Sequence, residues 1–259
     1  MIKSIIKTIK LATFLILIAL LAAGCSKEAQ TGTEELIMGL DDTFAPMGFR
    51  DEKGNIVGFD VDLANEVAKR IGVTIKFQPI DWSMKETELN AGNIDLIWNG
   101  YTITPERQEK VAFTKPYLEN SQVIVVLAGS DINTKADLAG KNVAVQAESS
   151  ALDAINSEPE VAATFGSLVE FSTNNEAFID LDSGRTDALV VDEVNARYYM
   201  KQIGEEKYKV LEEDFGDEEY GIGLRKEDTE LLKKINDAMD AMKKDGTYDK
   251  IYAKWFSEN

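Results

Sequence analysis

The stretch Asn99-Gly100-Tyr101-Thr102-Ile103-Thr104-Pro105-Glu106-Arg107 holds residue types at a spacing that could do chemistry. The apolar run before it, Ile94, Leu96, Ile97 and Trp98, suits a buried strand. Gly100 permits close backbone approach, Thr102 or Thr104 can cap a helix, and Pro105 fits a first helical position. A strand that ends at a helix N-terminus leaves backbone N–H groups pointing outward, a seat for an anion. Arg107, one turn inside, adds a planar fork that matches a carboxylate with two parallel hydrogen bonds. The same residues also fit an ordinary strand-to-helix turn with a surface arginine, and local pattern alone leaves both readings open.

Composition narrows the chemistry. The chain has 259 residues, 44% of them hydrophobic, enough for one large domain or two lobes with separate cores. It contains no histidine and a single cysteine. That removes histidine acid–base catalysis, Ser-His-Asp and Cys-His pairs, and nearly every zinc or iron site. No calcium loop, phosphate-binding loop or complete dinucleotide fingerprint is present. Neither a metal, a cofactor nor a catalytic residue is therefore assigned. The net charge is −18; the first 25 residues hold three lysines and no acid, leaving 25 basic against 46 acidic residues, a balance of −21. Such a surface repels nucleic acid.

The elements that must position the Asn99–Arg107 stretch alternate along the chain. Leu36–Leu40 reads as a strand, and Gly54-Asn55 as a hairpin turn between Phe49 and Ile56-Val57. Asp60 starts a helix with Leu63, Val67 and Ile71 on one side and Gly72 at its end. Strands follow at Val73–Ile80 and Ile94–Trp98, flanking a short helix around Leu89. A second run begins with the β-branched strand Gln122–Leu127 and continues through strands at Asn142–Gln146, Leu168–Phe171 and Ala188–Val191. Helices start at Ser149-Ser150 and cover Glu176–Asp182; an acidic loop is expected at Glu212–Glu219. Leu231, Ile235, Ala238, Met239 and Met242 mark a long helix, with Tyr248–Phe256 after Gly246. Two successive strand–helix runs predict an α/β chain of two lobes with mostly parallel sheets.

The N-terminus has a basic segment, an apolar run from Leu11 to Ala23, and Leu21-Ala22-Ala23-Gly24-Cys25, which resembles a bacterial lipobox. The resemblance implies cleavage before Cys25 and lipidation there, giving a signal peptide over residues 1–25 and a flexible tether over 26–34. From about Glu35 to Phe256 the chain resembles the periplasmic-type solute-binding proteins of polar amino-acid ABC importers, family 3 of the bacterial extracellular solute-binding proteins. The segments that carry this are Asp41-Asp42-Thr43-Phe44-Ala45-Pro46, Val57-Gly58-Phe59-Asp60-Val61-Asp62-Leu63 and Gly100–Arg107. Val143–Gln146, Arg185–Ala188 followed by Asp192, and Asp245–Tyr248 through Trp255-Phe256 complete the order.

That resemblance implies a two-lobed periplasmic binding protein fold with the ligand in the cleft. Lobe 1 would be residues 34–119 plus 220–259 and lobe 2 residues 125–214, with hinge crossings at 120–124 and 214–219. By matching motif positions, Arg107 would hold the α-carboxylate of a free amino acid, with backbone N–H groups at Thr102 and Ser150. Asp192 would pair with the α-ammonium, helped by the Gly100 carbonyl and the Thr102 hydroxyl. Phe44 and Trp82 would clamp the ligand side chain, while Asp41, with Asp60, would meet its distal group. Asp42, Glu86, Glu88, Asn99, Gln146 and Glu148 are further candidates around the cleft. Several acids around two aromatic faces suit a guanidinium or ammonium, which favours arginine over lysine or ornithine. Glutamine or cystine remains the alternative ligand. The implied partners are an L-amino acid, the transmembrane subunits of an ABC permease, and the outer face of the cell membrane through the lipid anchor, for a monomer. Two rival classes stay open: a dehydratase of the cyclohexadienyl type on the same fold, with Glu148 or another cleft acid as general acid, and a sensor subunit without transport.

Overall fold

The computed structural model describes residues 33–257; the lipobox, Cys25 and nearly all of the tether lie outside the described residues. Strands β1 (Glu35–Leu40), β2 (Thr43–Phe44), β3 (Gly48–Arg50), β4 (Ile56–Val57), β5 (Thr74–Pro79), β6 (Leu96–Ile97) and β7 (Ala112–Phe113) come first. The long β8 (Leu118–Leu127) is followed by β9 (Asn142–Gln146), β10 (Ser167–Phe171), β11 (Ala188–Asp192), β12 (Tyr208–Val210), β13 (Asp217–Tyr220) and β14 (Gly223–Leu224). One sheet runs β5-β1-β6-β14-β7 and a second β10-β9-β11-β8-β12, while β2-β3-β4 form a small antiparallel sheet. The expected parallel pairing holds for β5-β1-β6 and for β10-β9-β11; β14, β8 and β12 run antiparallel to their neighbours.

Each sheet is covered on both faces, so two lobes arise with their own cores. In the first, the helix Phe59–Ile71 and the C-terminal helices Thr229–Asp245 and Thr247–Phe256 bury Leu63, Val67, Ile235, Met239 and Met242 against Met38 and Leu96. Its other face is closed by Trp82, Leu89, Ile94, Ile97, Tyr101 and Val111. In the second lobe the alternating side chains of β8 divide, Ile124 and Val126 packing on one face and Val123 and Val125 on the other.

Two chain passages join the lobes, and they lie side by side. Leu118, Glu119, Asn120 and Ser121 of β8 pair antiparallel with Tyr220, Glu219, Glu218 and Asp217 of β13. The acidic run expected as a loop over Glu212–Glu219 thus ends in a strand. Its residues are poor strand formers, but the backbone of β8 supplies the partners they need. The helix Glu193–Ile203 was not anticipated either. Its apolar residues are scattered, and it is held by burial of Ala196 and Met200 and an Arg197–Glu193 ion pair of 2.9 Å. The Ile94–Trp98 strand shrinks to β6: the Asp95 N–H still donates to the Ile37 carbonyl at 2.7 Å, but its carboxylate takes the Ile37 N–H at 2.9 Å in place of a ladder carbonyl and pairs with Arg225 at 2.9 Å.

Candidate functional site

Asp41 follows the end of β1, next to β6 in the parallel ladder, and Asn99 follows β6. Their proximity is fixed by the Asp41 N–H donating to Asn99 Oδ1 at 3.0 Å. Asp41 Oδ1 accepts from the Thr43 N–H at 2.9 Å and the Thr43 hydroxyl at 2.7 Å, a local turn that leaves Oδ2 free to face lobe 2. Gly100 has φ +59°, and a Cβ there would lie 2.7 Å from the Phe44 ring and 3.1 Å from Tyr220. Only glycine fits that approach. The short helix Pro105–Lys110 starts at Thr104, whose hydroxyl accepts from the Arg107 N–H at 3.2 Å. Arg107 is buried; its guanidinium lies 5.0 Å from the Tyr101 ring and donates to the Thr102 carbonyl at 3.2 Å.

Lobe 2 presents its groups at the ends of β9 and β11. Gln146 ends β9 and Asp192 ends β11. Between Gln146 and the helix Ser150–Ser157 the chain turns through Glu148, in the left-handed region at φ +54°. Ser149 caps that helix by accepting from the Leu152 N–H at 3.2 Å.

The lobes meet across the cleft. Gln146 Nε2 donates to Asp41 Oδ2 at 3.0 Å, the Thr102 and Ser150 hydroxyls lie 2.9 Å apart, and Asn195 Nδ2 donates to the Ala45 carbonyl at 2.6 Å. Lys85 Nζ reaches the Glu148 carbonyl at 2.8 Å, and Arg107 reaches the same carbonyl and Asp153 at 3.4 Å each. The closed cleft leaves only a small cavity, lined by Asp41, Phe44, Trp82, Asn99, Gly100, Arg107, Gln146, Ser149, Ser150 and Asp192. Arg107 and Asp192 come from different lobes and share it.

Burial governs the ionisation of the wall. It raises the Asp41 carboxyl above its usual range, against hydrogen bonds from Thr43 and Gln146. Asp192 is pushed well up by burial and by the charge of Glu218, against the hydrogen bond from Tyr220. Lys85, almost without exposed surface, is drawn down to about 8 by burial and by the nearby Arg107.

Of the residues singled out from sequence, nine stand on the cavity wall: Asp41, Phe44, Trp82, Asn99, Gly100, Arg107, Gln146, Ser150 and Asp192. Thr102 sits beside it through Ser150. Asp60 does not reach it. That residue lies fully buried one layer back, its Oδ2 accepting from the Gly100 N–H at 2.8 Å and the Tyr117 hydroxyl at 2.9 Å. Burial lifts its carboxyl to about 7. Asp42 turns outward to Arg50, and Glu88 pairs with Asn93 at 2.8 Å on the surface. Glu86 accepts from the Tyr101 hydroxyl at 2.8 Å. The Glu148 side chain is exposed and only its carbonyl faces lobe 1, so it is not a general acid aimed into the cavity. Sequence reasoning missed Ser149, Lys85 and Glu218. The Ser149-Ser150 pair carried a readable cap signal; the other two looked like ordinary surface charges.

The small cavity between the two α/β lobes thus carries one guanidinium, Arg107, and two carboxylates, Asp41 from the same lobe and Asp192 from the other. The chain belongs to the bacterial extracellular solute-binding proteins, family 3, whose model matches residues 36–258. It is similar to the lysine/arginine/ornithine-binding periplasmic protein of Escherichia coli strain K12, 35% identical over 238 residues that cover 87% of this chain and 89% of the relative. Among solved structures it resembles a substrate-binding protein of an ABC uptake transporter from Streptococcus pneumoniae with bound histidine. That match has a TM-score of 0.84 and 44% identity over 86% of this chain and 93% of the other. An ancestral arginine-binding protein bound to arginine matches with a TM-score of 0.81 and 45% identity over 86% and 98%. No helix among the described residues is long and apolar enough to cross a membrane.

Proposed function

We propose that this chain is the extracytoplasmic substrate-binding subunit of an ABC importer, capturing a free L-amino acid with a cationic side chain, arginine ahead of lysine and ornithine. Arg107 takes the α-carboxylate together with the N-terminus of the helix Ser150–Ser157. Asp192 takes the α-ammonium. The lobes close because the ligand bridges groups on both of them.

The observation that carries the cationic assignment is the charge of the wall: Arg107 against Asp41 and Asp192. The two charges of an amino-acid backbone match Arg107 and Asp192, and Asp41 is left over beside the Phe44 and Trp82 rings. A guanidinium there restores the ionised form of a carboxylate that burial otherwise opposes. Glutamine is the second reading, favoured by the buried Asn99 Nδ2, which has no hydrogen-bond partner among the described residues. Thermal-shift and calorimetric screens over the common amino acids decide. L-arginine is expected to raise the melting temperature with a micromolar or tighter Kd. A shift with glutamine or cystine and none with arginine overturns the cationic assignment, and turnover of prephenate or arogenate would move the protein to the dehydratases.

The lipobox-like Leu21–Cys25 supports a monomer anchored through Cys25 at the outer face of the cell membrane, handing its ligand to a permease. Cys25→Ala should move it from the membrane to the soluble fraction.

A further inference from the structure

Behind Asp192 lies a second carboxylate. In the antiparallel ladders of β8, Asn120 stands opposite Glu218 of β13, and Gln122 stands opposite Asp192 of β11. Asn120 and Gln122 are two residues apart, so their side chains rise on one face of the sheet. The register thus gathers two amides and two carboxylates in one place. Glu218 Oε1 accepts from Asn120 Nδ2 at 2.7 Å, from Gln122 Nε2 at 2.9 Å and from the Thr102 hydroxyl at 3.0 Å. Asp192 Oδ1 accepts from the same two amides at 2.9 Å and 3.1 Å, and from the Tyr220 hydroxyl.

Two carboxylate oxygens that share two amide nitrogens are held close to each other. In a buried setting neighbouring carboxylates do not both ionise without a cation between them; they keep a proton. The surrounding charges offer no relief. Glu119, Asp217 and Glu219 on the crossing strands and Glu193 after β11 are acidic and line one groove together with Glu218. Tyr220 is a phenol that burial keeps protonated, and Arg197 is paired with Glu193. On the cavity side, Asp41 is a third acid, and Arg107 is directed to Thr102, Glu148 and Asp153.

We propose that Glu218 is a second carboxylate of the ammonium subsite, a positioning residue acting through Asp192: the pair holds one proton until an α-ammonium replaces it, so that ligand capture releases that proton. The carboxylic acid gives up its proton to solvent by way of the outer groove that the half-buried Glu218 lines, and the ammonium then faces the Asp192 carboxylate with Glu218 behind it. The identity of the incoming cation rests on the amino-acid reading above; the shared proton does not.

The test has two arms for that reason. Carboxyl ¹³C NMR of the ligand-free protein, with the Asp192 resonance assigned through Asp192→Asn, should show Asp192 titrating well above ordinary aspartates. In Glu218→Gln, which keeps the shape and can still accept hydrogen bonds, its midpoint should fall by about one pH unit or more. Calorimetry with L-arginine and with L-glutamine, in buffers of different ionisation enthalpy, should show up to one proton released per molecule bound. The apparent affinity should then rise as much as about tenfold per pH unit below the midpoint, and Glu218→Gln should flatten that slope. An Asp192 midpoint in the ordinary range, or one that Glu218→Gln leaves in place, overturns the proposal. Binding by neither amino acid would refute the amino-acid reading, while the ligand-free titration would still decide the shared proton.

Discussion

The two ends of the cavity are built differently. At the end proposed for the ligand's backbone, charges come from both lobes and several partners fix each one. Arg107 is held by the Thr102 carbonyl and the Tyr101 ring, and Asp192 by Asn120, Gln122 and Tyr220. At the end proposed for the side chain, Asp41 and Gln146 bond to each other, and Phe44, Trp82 and Asn99 line the same cavity. The first end is preorganised for two opposite charges, which every free amino acid carries. The second is held by as many hydrogen bonds, Asp41 by Thr43 and Gln146, and Gln146 also by the Ser172 carbonyl and Asn174, but none of its groups belongs to the Arg107–Asp192 grip. Affinity is therefore expected to depend on the first and selectivity on the second.

Removing Arg107 should break the comparison most severely. Arg107→Ala leaves a ligand carboxylate buried without its main partner, which costs on the order of 4 kcal/mol, about a thousandfold in Kd. Calorimetry should show that loss for arginine and for glutamine alike. Retained binding of either would mean that the backbone end has been assigned to the wrong groups.

The same contrast explains what could be read from the chain. Strands and helices of both lobes follow from local apolar patterns, and Thr104-Pro105-Glu106-Arg107 gives both a cap and the position of the guanidinium within one turn. Asp192 was legible as an acid at the end of an apolar strand. Glu218 was not, because it lies in a run of acids that reads as a solvated loop. Only the register with β8 turns it inward. Lys85 sits among acids on a short helix, and its burial involves a long-range contact with the Glu148 carbonyl of lobe 2 that local pattern does not reveal. For Asp60 the pattern gave the right helix start but not the layer, since a first-turn acid faces a cavity or the backbone behind it equally well.

Lys85 sharpens the comparison by adding a second cation to the guanidinium end. Its ammonium is held near 8, below the ordinary lysine value, chiefly by burial. Between about pH 8 and 10.5 the unfolded chain binds the proton and the folded protein does not, so stability rises with pH across that window. The gain is at most about 3 kcal/mol. Denaturant unfolding at pH 7.5 and pH 10 should show that rise and its absence in Lys85→Met, measured as the difference between the two proteins so that other lysines cancel. Equal slopes would mean that folding does not bury this ammonium.

Asp41 tests the other end. Asp41→Asn removes the charge while keeping an acceptor for Thr43. The expected loss for L-arginine is about 1.5–3 kcal/mol, roughly ten- to hundredfold, with glutamine binding unchanged or improved. An equal loss for both ligands would place Asp41 in the common grip.

The smallest effect is expected at the aromatic wall. Trp82 packs edge-on to Tyr101 at 5.9 Å and also lines the cavity, so it serves the lobe 1 core and the ligand together. Trp82→Leu will lower stability by loosening that core, and this part of the change falls on every ligand equally. The cation–π contribution does not: it is worth about 1 kcal/mol at a partly desolvated site and exists only for a cationic side chain. The ratio of arginine to glutamine affinity, measured by calorimetry on the same preparation, cancels the shared loss. It should fall roughly threefold to tenfold. A ratio that stays fixed while both affinities drop would reduce Trp82 to a structural wall and leave Asp41 alone to read the charge.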